Sequence, residues 1–381
     1  AILIGKSTLD ELAMGGTGTS GHKGVTYNPW DKSHTRIVGG SSAGSAVAVS
    51  DAIVPFALGS DTGDSVRKPA ALAGLVGFKP TWGLISRFGL FPFAPSLDHV
   101  AYFTRSVFDS ALAMELLSKH DENDSTSSYK ERPNYLDLNS SIDGKKIAVI
   151  NGIYKGITDK YVLEAFDKNV DFLRKNGAKV DFIDVDINLL RAIYPSYIVI
   201  SCAEATSNDA NLDGIKFGPN YGGKTYSEVM FNARTKGFSA LIKRRFVIGS
   251  YALMRENQEE VFLRAQRARH LIVNTFNKIF EEYDAVYCPA APSIAPLINK
   301  SSEDINEDFM IADNWLAIGN FGGYPSITLP IGFENDMPLG ANLMCKPFDE
   351  VNLFNISLKI EEGTGLKNLT YPSYASKKEG K

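Results

Sequence analysis

The sequence is short of the residues on which most hydrolytic and metal-dependent chemistry rests. Its 381 residues include five histidines, His22, His34, His99, His120 and His270, none at metal-binding spacing and none in an HExxH pattern, which argues against a zinc centre. Each is expected at the surface or as a satisfied core residue. Only three cysteines occur, Cys202, Cys288 and Cys345, odd in number and without CxxC spacing. They argue for a reducing compartment and buried small apolar side chains, not a disulfide framework. No apolar run approaches the ~20 residues of a membrane helix, and no basic region, apolar core and cleavage site mark a secretory signal. The P-loop lysine and the G-x-S-x-G elbow are both missing. A basic surplus is missing too: the formal charge is −4 and the pI about 5.8. That excludes the electrostatic footprint of direct phosphate-backbone binding, so any nucleic acid would be held by a separate protein chain. Internal repeats and low-complexity tracts are absent.

What is present centres on Gly39–Pro80. Two Gly/Ser clusters, Gly39-Gly40-Ser41-Ser42-Ala43-Gly44-Ser45 and Gly59-Ser60-Asp61-Thr62-Gly63-Asp64-Ser65, flank a connector from Ala46 to Leu58 whose only polar residues are Ser50 and Asp51. A flexible linker would be polar throughout, so these read as two glycine turns tethered by buried structure.

Along the chain, Ala1–Ile4 reads as a short buried strand and Ser7 as the cap of a helix over Thr8–Met14. Gly16–Gly21 matches GxGxxG but follows a helix and enters a loop, the wrong context for a dinucleotide fingerprint, and is expected to be a plain loop. Helices are expected over Ala43–Asp51, Pro69–Ala73 and Val107–Leu117, and strands over Ile53–Leu58 and Gly74–Pro80. Residues His120–Ser141 turn polar, as a surface crossover does. Lys146–Asn151, then Val162, Phe166, Val170 and Leu173 at helical spacing, then Val180–Val185, form a β-α-β unit that requires a parallel pair. Phe238–Tyr283 is expected to hold more than one long helix. Ala285–Pro292 reads as a buried strand, Ser326–Ile331 and Ala341–Cys345 as a strand pair, and Asp349–Ile360 as a closing helix. The fold class is therefore α/β, one large domain over residues 1–366, with a polar tail over 367–381 that frays from Tyr371.

With histidine and metal chemistry set aside, a serine activated by something other than histidine remains. Lysine serves if burial lowers its pKa, a second serine can pass the proton, and glycine-rich backbone can aim N–H groups at an oxyanion. GGSSAGSA followed by GSDTGDSVRKPA resembles the amidase signature family, which uses a Ser–cis-Ser–Lys triad. LIGKSTLDELAMGG, KPTWGLISRFGL, AEATSN, DGIKFG, KGFSALIKRRFVIGSYAL and GGYPSITLPIGF extend the likeness over nearly the whole chain. They are similar to the glutaminase subunits of the tRNA-dependent amidotransferases acting on Glu-tRNA(Gln).

That resemblance implies a mixed, mostly parallel central sheet covered by helices on both faces. It implies Ser65 as nucleophile, Ser41 as proton relay after a cis peptide, and backbone N–H groups of Thr62, Gly63, Asp64 and Ser65 as oxyanion hole. Arg245 would clamp the glutamine α-carboxylate, Asp313 would take the α-amino group, and Tyr197 would close the pocket. Ammonia would pass to a B subunit that handles ATP, Mg and the tRNA, with a small third subunit in the complex; this chain would carry no cofactor and no metal. Three residues depart from the family pattern: Asp64 for glycine beside the nucleophile, where a carboxylate opposes an oxyanion unless it points away, Ala43 for glycine, and Leu84 for arginine. The family lysine lies upstream of everything here, since Lys6 and Lys23 stand too close to the first cluster, so an N-terminal segment bearing it is expected before Ala1. Organellar, fungal-type features point to the mitochondrial matrix, with the bacterial cytoplasm as the alternative. The rival functions are a stand-alone small-amide hydrolase and a non-catalytic scaffold subunit.

Overall fold

One mixed sheet runs through the computed structural model, which describes residues 2–299, 307–372 and 376. Among these its eight strands are β1 (Ala57–Asp61), β2 (Val76–Lys79), β3 (His99–Thr104), β4 (Lys146–Ile150), β5 (Lys179–Ile183), β6 (Ala285–Pro289), β7 (Ser326–Glu334) and β8 (Met337–Met344), in the order β1-β3-β2-β7-β8-β6-β4-β5. The expected β-α-β unit is present, with β4 parallel to β5 and the helix Lys160–Lys175 between them burying Val162, Phe166, Val170 and Leu173. The balance of strand directions differs from expectation. Only β4 makes parallel pairs, with β5 and β6, and the other five pairings are antiparallel. The reason is local at β7–β8: Asn335 and Asp336 both take positive φ, 49° and 64°, the two-residue turn that folds a chain straight back on itself.

Helices cover both faces. Gly77 and Gly340 admit the helix Arg67–Ala73 on one side: a Cβ at Gly77 would lie 2.5 Å from that of Ala70, and one at Gly340 2.6 Å from that of Ala71. The neighbouring Phe78 points the other way, as strand alternation requires, and packs at 4.8 Å against Phe354 of the helix Glu350–Thr364. The close approach on the first face brings the helix that follows Ser65 directly onto the middle of the sheet.

Several boundaries are corrected. Ile2, Leu3 and Ile4 form no strand and are exposed, because no other strand lies beside them. Ser7 caps nothing; its hydroxyl pairs with Ser45 at 2.7 Å, and the helix expected over Thr8–Met14 shrinks to a turn at Glu11–Ala13, with Leu12 at positive φ. The strand expected at Ile53–Leu58 begins instead at Ala57, and Ile53 and Leu58 are exposed because β1 is the edge of the sheet. Phe238–Tyr283 divides into helices Ala240–Leu253 and Arg264–Glu282, joined through a π-helical turn at Gln258–Leu263. Tyr371 packs edge-on against Trp30, ring centroids 5.6 Å apart, while most of the tail expected to fray lies outside the described residues.

Candidate active site

The two serines singled out from sequence meet where β1 ends. Ser65 lies in the loop between β1 and the helix Arg67–Ala73, and Ser41 stands just before the helix Ala43–Ser50. Between them Ser42 acts as a stitch: its N–H donates to Ser65 O (3.2 Å), and its hydroxyl donates to Ser60 O (3.1 Å) while accepting from Ser60 N–H (3.2 Å). The Gly40–Ser41 peptide is cis. The Ser41 hydroxyl is fully buried and makes no hydrogen bond to a described residue.

Behind this turn lies the GxGxxG segment, which is a loop wrapped on a carboxylate. Asp10 accepts from Gly18 N–H (2.9 Å), Ser20 N–H (2.9 Å) and the Ser20 hydroxyl (2.8 Å), and its own N–H donates to Ser41 O (3.1 Å). Gly40 has to be glycine here, since a Cβ would fall 2.0 Å from Asp10 Oδ2.

The backbone N–H groups of Thr62, Gly63, Asp64 and Ser65 donate to nothing among the described residues. A run of free N–H groups at a strand end is what an oxyanion needs. Its shape is held from beneath by Arg67, which is fully buried: Nη2 donates to Asp61 Oδ1, Gly63 O and Asn320 Oδ1, each at 2.7 Å, Nε to Asp61 Oδ2 (3.1 Å), and Nη1 to Leu316 O (2.7 Å). Asn320 returns a bond to Asp61 O (2.8 Å). Burial alone would raise the Asp61 carboxyl, but the Arg67 charge and hydrogen bond, followed by Lys79, hold it well below the usual carboxylate range. From the other side Asp98 accepts from the Thr62 hydroxyl (2.6 Å).

Tyr197, on the helix Ile193–Asn208, lies against this loop, so that a Cβ on Gly63 would meet the ring at 2.8 Å. Burial pushes its hydroxyl up strongly; Arg245 pulls it down and Asp64 adds to the rise. Arg245 projects from the helix Ala240–Leu253, with Nη1 4.0 Å from Cys202 Sγ, the guanidinium 5.9 Å from the Phe93 ring centre, and Nε buried without a hydrogen-bond partner. Asp313, at the end of the helix Glu307–Asn314, is paired with Lys68, whose Nζ donates to Oδ1 (2.7 Å) and to the main-chain O (2.5 Å). The Asp64 carboxyl is pushed up to about 6, chiefly by burial, with Lys68 opposing and Asp61 and Asp313 reinforcing.

No described lysine is free beside Ser41. Lys6 and Lys23 are exposed, Lys68 is held by Asp313, and Lys79, fully buried, donates to Tyr324 O (2.5 Å). The residues that brace the site, Asp10, Asp61, Arg67, Lys68, Asp98 and Asn320, were not identified from sequence. For Arg67 and Lys68 a signal existed: two cations set in SVRKPAALAGLVGF, a run otherwise fit for a core, must find partners when buried.

A serine beside a second, unpartnered serine, facing a cradle of free backbone N–H groups on an α/β sheet, defines a serine amide hydrolase, and the chain belongs to the amidase family, whose model matches residues 1–354. Within that family it is similar to the A subunit of the glutamyl-tRNA(Gln) amidotransferase of Staphylococcus haemolyticus, 40% identical over 364 residues that cover 95% of this chain and 74% of the relative. The Thermotoga maritima counterpart, of the same name, is 37% identical over 363 residues, 95% of this chain and 75% of the relative. The crystal structure of that Thermotoga maritima protein superposes with a TM-score of 0.78 at 35% identity, covering 95% of this chain and 73% of that one.

Proposed function

We propose that this chain is the glutaminase component of a tRNA-dependent amidotransferase. The observation that carries the reading is a nucleophile cradle near a guanidinium that no described carboxylate pairs: Arg245, whose Nε is buried without a hydrogen-bond partner, reaches Cys202 on the same helix that sets Tyr197 against the Ser65 loop. An unpaired buried donor is costly unless a ligand completes it, and a guanidinium fork suits a carboxylate. A substrate with a carboxylate at one end and a carboxamide at the other is the glutamine type.

In this mechanism Arg245 holds the α-carboxylate and Tyr197 covers the chain. Ser65 Oγ attacks the side-chain carboxamide carbon, and the N–H groups of residues 62–65 receive the oxyanion. The Ser65 proton passes to Ser41 Oγ, which relays its own to a base, for which the family resemblance supplies a lysine. The base returns that proton through Ser41 to the leaving nitrogen, ammonia departs, and a glutamyl ester remains on Ser65. Water attack by the reverse relay frees glutamate.

Ammonia would pass to a B subunit that uses ATP and Mg to amidate Glu-tRNA(Gln), with a small third subunit completing the assembly. Val247 and Tyr251, exposed one turn apart on the helix Ala240–Leu253, with exposed Met254 just past its end, support a covered rather than free face, against a stand-alone hydrolase. Three free buried cysteines suit a reducing interior, and the mitochondrial matrix is the location proposed; recovery in another fraction on cell fractionation would dismiss it. The test of function is glutaminase activity of the full-length protein with and without its B partner. Ser65→Ala is expected to lower turnover by at least about 10³-fold. Partner-independent activity that ignores glutamine would overturn the proposal, and so would full activity of the variant.

A further inference from the structure

Where the helix Val107–Leu117 ends and the polar crossover begins, a cavity of about 350 Å³ opens that shares no residue with the serine site. Three cations line it, Lys119, Lys130 and Arg132, against one carboxylate, Glu131. None of the three cations forms an ion pair with a described residue. Lys130 Nζ rests 4.1 Å from the centre of the Phe348 ring. A helix C-terminus repels anions, but Arg132 Nη1 donates to the carbonyls at this one, Glu115 O (2.9 Å) and Ser118 O (2.6 Å), and so covers their negative end. His120 completes the wall. Its ring stacks on Tyr129 with centroids 3.9 Å apart, and both ring nitrogens are buried without a hydrogen-bond partner. At least one of those nitrogens carries a hydrogen, so the wall holds a donor that no described residue accepts, at a cost that a bound acceptor would remove. Leu84, one of the departures from the family pattern, supplies the apolar side.

We propose that this cavity binds the phosphate group of a small molecule, either free phosphate or a compact phosphate ester such as a sugar phosphate. The inference is independent of the glutamine reading, since neither site needs the other. Phosphate fits better than a carboxylate because it brings about two negative charges and three terminal oxygens. Those oxygens can take donors that converge from separate stretches, Lys119 and His120 just past the helix, Lys130 and Arg132 further along the crossover. A nucleic-acid backbone fits worse. The chain as a whole carries a charge of −4, and this positive cluster is confined to one cavity of a size that suits a small ligand.

The test titrates the full-length protein with its B partner by calorimetry, using inorganic phosphate, ribose 5-phosphate and a short single-stranded RNA, with phosphate-free ribose as the control. Lys119→Gln/Lys130→Gln is expected to weaken the phosphate probes on the order of 10–100-fold. His120→Phe, which keeps a ring on Tyr129 and removes both nitrogens, should weaken them roughly 10-fold. A second measurement does not depend on heats of binding: saturating phosphate probe should raise the unfolding midpoint of the wild-type protein and leave that of the double variant where it was. Tighter binding of ribose 5-phosphate than of phosphate identifies an ester as the source, and equal or weaker binding identifies free phosphate. Binding of neither small probe, binding undiminished in the double variant, or a response confined to the RNA would overturn the proposal.

Discussion

Removal of the Arg67 guanidinium tests how the catalytic loop is held. Arg67→Met keeps much of the stem volume but leaves the fully buried Asp61 carboxylate with Val66 N–H at 3.0 Å and Asn320 Nδ2 at 3.1 Å as its remaining close donors. It also strips the donor from Gly63 O, Leu316 O and Asn320 Oδ1. Breaking a buried pair from one side costs about 3–5 kcal/mol, because the surviving charge has no water to return to. Denaturant unfolding at neutral pH should register that loss as a lower midpoint with an unchanged slope. The sign with pH follows from Asp61, whose native carboxyl sits below its unfolded value. Its contribution is fully present above about pH 4 and is lost as the pH falls toward the native value, so the gap between wild type and variant should narrow in acid. Asp61→Asn/Arg67→Met removes both charges and should recover part of the loss. A single variant within about 1 kcal/mol of wild type, or a double variant no better than the single, would refute the view that this pair sets the loop.

Two further substitutions follow from other parts of the site. Asp209 is buried with both carboxylate oxygens unpartnered, and burial, opposed by Arg234 and aided by Asp98, pushes its carboxyl up to about 7. A raised carboxyl costs stability as the pH climbs from about 4 through 7, so Asp209→Asn should stabilise at pH 8 by up to about 4 kcal/mol and by far less at pH 4; an equal effect at both would remove the assignment. Gly63→Ala places a methyl 2.8 Å from the Tyr197 ring, and displacing that cover should lower kcat/KM roughly 10–100-fold, as should Tyr197→Ala alone; a Gly63→Ala variant at the wild-type kcat/KM would show that the ring is not needed over the loop.

What could be read in advance divides by range. The β-α-β unit and the helix Val107–Leu117 were legible because the periodicity that defines them is local. The N-terminal apolar run misled, because Ile2–Ile4 carry a strand-like pattern but have no neighbouring strand to pair with. Ser41 and Ser65 were singled out by the resemblance of the two Gly/Ser clusters to the amidase signature family. The roles of Lys68 and Asp313 were not legible, since their pairing crosses 245 positions and no local pattern signals it. Asn320 in AIGNFGG looks like ordinary helix-end composition until its amide is found bonded to Asp61. The balance of strand directions escaped for the same reason, being set by turns such as Asn335-Asp336 and not by the strands themselves.

Arg67 reaches Leu316, Asn320 and Ser326, partners that lie 249 to 259 positions further along the chain. A chain emerging from the ribosome thus presents both serines long before the groups that shape their cradle exist. Nascent and prematurely ended products would carry Ser65, the proposed nucleophile, without the groups that brace its loop. For a hydrolase that releases ammonia, this delays activity until the rest of the molecule is there to direct it.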